Sequence, residues 1–168
     1  MDDLRLYQAL ALRAILICDM IAPQVIESNK ASWANVAQFV ERFPENDTWR
    51  AWKVFMSALI QACINVGLSE YFRAGTSMQH IIFSTSEQHG LENFSPSPPR
   101  VTIGRDSKSE MFVAWSHSNI WFNEPERREF VTAETALPVL RTYLAALWRE
   151  THPMEPVPQL QKLFLLLR

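Results

Sequence analysis

Apolar positions along this chain follow two rhythms, and the change between them falls near residue 76. Before it, apolar residues recur every three or four positions, as on one face of a helix. Tyr7, Leu10, Ala11, Ala14, Ile17, Cys18 and Ile21 predict a first helix over 2–22, broken or kinked at Pro23, with a short helical turn resuming at Gln24 to Ile26. Ser32 predicts the N-cap of a second helix over 33–43, ended by Pro44. Asp47 predicts the cap of a third helix over 48–73, and Gly75 stands where a C-cap would. The stripe of this third helix is Trp49, Trp52, Met56, Leu59, Ile60, Cys63 and Gly67, and Arg50, Lys53, Ser57, Gln61 and Asn65 lie opposite.

After residue 76 the apolar residues crowd into short runs rich in β-branched and aromatic side chains, separated by turn formers. Strands are expected over 79–84, 100–105, 111–116 and 119–122. Asp106-Ser107-Lys108-Ser109 and Ser116-His117-Ser118-Asn119 supply the hairpin turns, and the proline-rich 87–99 stretch a loop. Met111, Val113 and Trp115 share one strand face; Phe112 and Ala114 point the other way, toward a partly covered face or a contact surface. Asn123 to Phe130 reads as a charged connection. Helical spacing returns after residue 132, with a long helix over 136–150 capped by Thr135 and with Pro138 in its first turn. A short C-terminal helix from Pro158 carries Leu160, Leu163, Phe164 and Leu167 on one side.

Helices, then a meander, then helices make an α+β chain and argue against a parallel doubly wound sheet. The expected domain is single: a helical part over 1–75 with about three helices, a three- to four-stranded antiparallel meander over 78–122, and C-terminal helices over 132–168. At 168 residues and 48% apolar composition, the chain has ample material for a core.

Charge argues against one class of function. A formal charge of −2 gives no general attraction to a nucleic-acid backbone. The best basic patch, Arg100, Arg105 and Lys108 beside Phe112, Trp115 and Trp121, is diluted by Asp106 and Glu110. Two cysteines, Cys18 and Cys63, lie on apolar stripes and read as core residues in a reducing compartment. The Met-Asp-Asp start lacks the basic n-region of a secretory signal. Leu4 to Ala22 is interrupted by Arg5, Gln8, Arg13 and Asp19, so a buried helix fits it better than a membrane span. A cytoplasmic protein is expected.

The motifs for chemistry are thin. With four glycines, no phosphate loop, dinucleotide fingerprint or nucleophile elbow can be written. None of the four histidines has a His or Cys partner at metal-ligand spacing, and Glu87, His89 and Glu92 read as a solvated loop. Ser116, His117 and Asp106 could form a nucleophilic triad only if the fold brought them together, and Glu124, Glu126 and Glu129 read as a charged surface loop. No cofactor or metal is expected. What remains is a surface for another protein. Trp115 and Trp121 beside Asp106, Glu110, Glu124 and Glu126 combine aromatic anchors with an acidic rim, the composition of an interface hot spot.

In general build the chain resembles the small cytosolic immunity proteins of bacterial toxin–immunity pairs: slight acidity, many aromatics and no catalytic motif. That resemblance implies a non-enzymatic inhibitor that occludes a partner protein, such as a toxin or effector. The alternatives are an enzyme built on the polar turn at His117, or an adaptor that docks through its C-terminal helix.

Overall fold

The computed structural model describes residues 21–86, 98–117 and 125–153. They form three α-helices and a five-stranded antiparallel sheet, an α+β arrangement. The order is α1 (Pro23–Glu41), α2 (Asp47–Asn65), a 3₁₀ turn (Leu68–Glu70), β1 (Arg73–Ser77), β2 (His80–Ser84), β3 (Arg100–Arg105), β4 (Met111–Ser116), β5 (Arg127–Phe130) and α3 (Ala133–Thr151). The sheet is a simple meander in chain order, every neighbour antiparallel. The helix predicted over 2–22, the strand over 119–122 and the C-terminal helix lie outside the described residues.

Two strands correct the predicted count. Arg73–Ser77 is β1, where a helix end was expected; Gly75 pairs with Ile82 inside the sheet. The third predicted helix stops at Asn65, and Gly67, at φ 78°, makes the left-handed turn that ends it. Arg127–Phe130 is β5, paired with β4 in the register Phe112–Phe130 and Trp115–Arg127, where a charged connection was expected.

The first helix of the structure is continuous where two pieces were expected. Pro23 is its first residue, a position where a missing N–H costs nothing. Ser32 caps nothing. Its hydroxyl donates to Asn29 O at 2.6 Å and accepts the Ala74 backbone N–H at 3.0 Å. Asn29 donates to Glu70 O at 3.3 Å, Trp33 Nε1 donates to Phe72 O at 2.7 Å, and Arg73 bonds Ser28. A polar stripe on α1 thus seals the β1 edge of the sheet, which would otherwise present open backbone groups.

The helices gather on one sheet face. Trp33, Val36 and Val40 of α1, Trp52, Met56, Leu59, Ile60 and Cys63 of α2, and Leu140, Leu144, Leu147 and Trp148 of α3 form one buried cluster with Ile81, Phe83, Val101, Ile103, Val113 and Trp115. Burial pushes the Cys63 thiol up to about 12, so it stays a protonated core group. The second face is buried as well: Ile82, Ser84, Arg100, Thr102, Phe112, Ala114 and Ser116 are each at most 3% exposed. Of the two expectations for Phe112 and Ala114, the covered face is the one observed.

Thr132 caps α3, one turn earlier than predicted. Its hydroxyl accepts from the Thr135 N–H, and the Thr135 hydroxyl accepts from the Thr132 N–H at 2.8 Å, a reciprocal capping box. Pro138 accordingly lies inside the helix rather than in its first turn.

His80 and Gly104 show how tightly the second face packs. The imidazole lies across Gly104, and a Cβ built there would sit 1.8 Å from His80 Cδ2. Gly104→Ala is therefore expected to cost about 1–3 kcal/mol through overpacking. Urea denaturation would measure it; an unchanged midpoint would contradict this packing.

Candidate functional site

The β3–β4 hairpin sets the geography of the surface, because its turn and its far ends lie on opposite sides of the sheet. From Met111 to Ser116, β4 takes five steps, about 17 Å.

At the turn end, Asp106 organises the loop. Its carboxylate accepts the Lys108 and Glu110 backbone N–H groups at 2.8 and 2.9 Å, while its own N–H donates to Glu110 O at 3.0 Å. Ser109 takes a positive φ of 68° to close the turn. Beside this turn is an open groove of about 470 Å³. Trp52 and Phe55 of α2, Arg105, Ser109 and Met111 of the hairpin and Ala133 of α3 line it, with Asp47 at the rim. The Arg105 guanidinium lies 5.7 Å from the Trp52 ring centroid, and its Nε donates to Ser109 O at 3.3 Å. Val54, next to Phe55, is 66% exposed.

At the other end, His117 is held between two carboxylates. Nδ1 meets Glu126 Oε2 at 2.9 Å and Oε1 at 3.0 Å, Nε2 meets Glu150 Oε1 at 2.5 Å, and the His117 backbone N–H donates to Glu126 Oε1 at 3.1 Å. Burial pulls the imidazole pKa down, but the bonds to Glu150 and Glu126 outweigh it and leave it above its ordinary value. The bond to His117 holds Glu126 below the usual carboxylate range. Both bonds of this clasp form together only when the ring is an imidazolium, and in that form it has no lone pair to take a proton from a nucleophile.

The structure separates the predicted site residues. Asp106 and Glu110 stand at the turn end and Glu126 at the clasp end, so the three do not form one acidic patch. Trp115 is 6% exposed and packs in the helix-side core. Trp121 and Glu124 lie outside the described residues. Ser116, His117 and Asp106 do not converge: Asp106 is a strand's length away, and Glu126 takes the place beside the imidazole. His80 is buried, and burial pulls its pKa down, against hydrogen bonds with the Ser77 and Arg105 backbones. His152 stacks on Trp148 at 3.8 Å. Among the described residues, no three His, Cys, Asp or Glu side chains are grouped to hold a metal, and no helix is long and apolar enough to cross a membrane.

Phe55 and Glu150 escaped the sequence reading. Phe55 and Val54 stand off the apolar stripe of α2, and that departure was the available signal. Glu150 is 33 residues from His117 and carried none. No protein family model, no curated protein and no solved structure matches the chain.

The clasp has a definite pH signature. A raised folded pKa on His117 gives stabilisation that is complete below its ordinary value of 6.5 and disappears as pH rises through the folded value. The lowered pKa of Glu126 gives stabilisation that is lost as pH falls through its own folded value. The stability gap between wild type and His117→Ala should therefore be widest roughly between pH 5 and 6.5 and narrow on both sides. Urea titrations across pH would check it, and a gap independent of pH would contradict the charged clasp.

Proposed function

We propose that this protein is a non-enzymatic binding module that inhibits a partner protein by covering it, and that the groove at the β3–β4 turn is its contact surface. The observation that carries this reading is the groove itself: Trp52, Phe55 and Met111 around a hollow that is open among the described residues. Aromatic and Met side chains ringed by polar groups are the composition of an interface centre.

Charge around the groove suggests the partner's character. Asp47, Asp106 and Glu110 stand at or near the rim. Arg105 is turned onto Trp52 and Lys108 projects from the turn, so the acidic excess is small. A partner with a basic cleft suits this rim, and its association would be steered by charge and slowed by salt. The immunity-type role fits this reading because occluding a basic active site needs a rigid surface and no chemistry of its own.

The test is retention of a partner from the native host. Phe55→Glu places a charge in the groove at a partly buried helix position, where Phe55 stacks on Trp52. It should weaken retention by at least about tenfold while leaving the melting temperature within a few degrees. Equal retention by wild type and Phe55→Glu would overturn the assignment of the groove.

A further inference from the structure

We propose that His117 is a proton-operated clasp whose α3 arm opens when the imidazole becomes neutral, while its β5 arm stays closed. The number of N–H donors on the ring decides which arms can close. Two carboxylates, Glu126 and Glu150, meet the two ring nitrogens, so both nitrogens must carry hydrogen for both bonds to form. A neutral imidazole has one N–H. Its other nitrogen turns a lone pair toward a carboxylate oxygen already within hydrogen-bond distance, and that arm must part.

The two arms are not equivalent. Glu126 places both oxygens near Nδ1, at 2.9 and 3.0 Å, and also accepts the His117 backbone N–H at 3.1 Å. The backbone bond does not titrate, so Glu126 remains beside the ring at every pH. The neutral tautomer that keeps hydrogen on Nδ1 retains all of these contacts. Among the described residues, Glu150 engages the clasp through Nε2 alone, at 2.5 Å. It is the arm that loses its donor.

Glu150 is the penultimate residue of α3, so this arm ties the end of that helix to the end of β4. Without it, the last turn keeps its own bonds, His152 N–H to Trp148 O at 2.8 Å and Thr151 Oγ1 to Leu147 O at 2.9 Å, together with the His152 stack on Trp148. Trp148 stays anchored in the core against Tyr71 and Phe72, but the residues beyond it keep only local bonds, and such a helix end frays readily. Glu126 and Glu150 are the charged groups that face the ring among the described residues, and the Trp115 ring meets it edge-on at 5.8 Å. Proton loss from His117 is therefore the event that sets whether the residues after Trp148 at the end of α3 are fastened to β4.

Amide hydrogen exchange on the full chain reads both arms separately. Between about pH 6 and pH 9, protection factors at Glu150 to His152, corrected for intrinsic exchange, should fall at least about fivefold. Those at Val113 and Glu129, in the β4–β5 ladder, should hold within about twofold. Glu150→Gln supplies a side chain that can donate to or accept from either imidazole form. That variant should show no pH-dependent loss at the helix end, and its ladder protection reports that it is folded. Equal protection of the helix end at both pH values in the wild type would overturn the proposal. So would a loss centred on β5, or a loss undiminished in Glu150→Gln.

Discussion

Burial of the β3–β4 hairpin on both of its faces is the constraint on which the rest of this structure hangs. Val101, Ile103 and Val113 are wholly buried toward the helices, and Arg100, Thr102 and Ala114 are at most 2% exposed on the other side. Antiparallel sheets commonly leave one face to water. Here each central residue contributes on whichever side it points, at about 1.5–3 kcal/mol for a fully buried Val, Ile or Phe. The packing tolerance is correspondingly narrow: Gly104 has no side chain because the His80 ring occupies the space.

That burial determines where other chemistry can occur. Both faces of the central strands are filled, so exposed groups collect at the two ends of the hairpin and along β5. The ends are unlike. At the clasp end, polar groups meet one another: the His117 ring meets a carboxylate at each nitrogen and, when protonated, fastens β4, the lead into β5 and α3. At the turn end, the backbone turn satisfies itself through Asp106 and leaves an apolar hollow beside it. Internal neutralisation suits a structural fastening, and an apolar hollow with a polar rim suits a contact with another molecule.

Much of the fold was legible from residue pattern, and the misses share a cause. Strands β3 and β4 were read at their observed bounds because dense apolar runs flank a turn of Asp, Ser and Lys. The burial of Trp33, Trp52 and Trp148 followed from helical spacing. Strands β1 and β5 were missed because Arg-Ala-Gly-Thr-Ser and Arg-Arg-Glu-Phe carry no apolar alternation; backbone pairing to a strong neighbour makes them strands. The first helix looked divided because Asn29 and Ser32 are polar, and their bonds to Glu70 and Ala74 exist only in the folded chain. The site was less legible than the fold. Acidic residues close in sequence fell at opposite ends of a strand, and the partners that matter, Phe55 with Met111 and His117 with Glu150, are joined only by tertiary packing.

The central claim is that the molecule works through the turn-end groove. Its most direct measurement is a hydrogen-exchange footprint of the protein with its co-purified partner. New protection should concentrate in 47–55 and 105–111, with the His117 end unchanged. Protection centred on His117, Glu126 and Glu150, with the groove left exchanging as in the free protein, would contradict it.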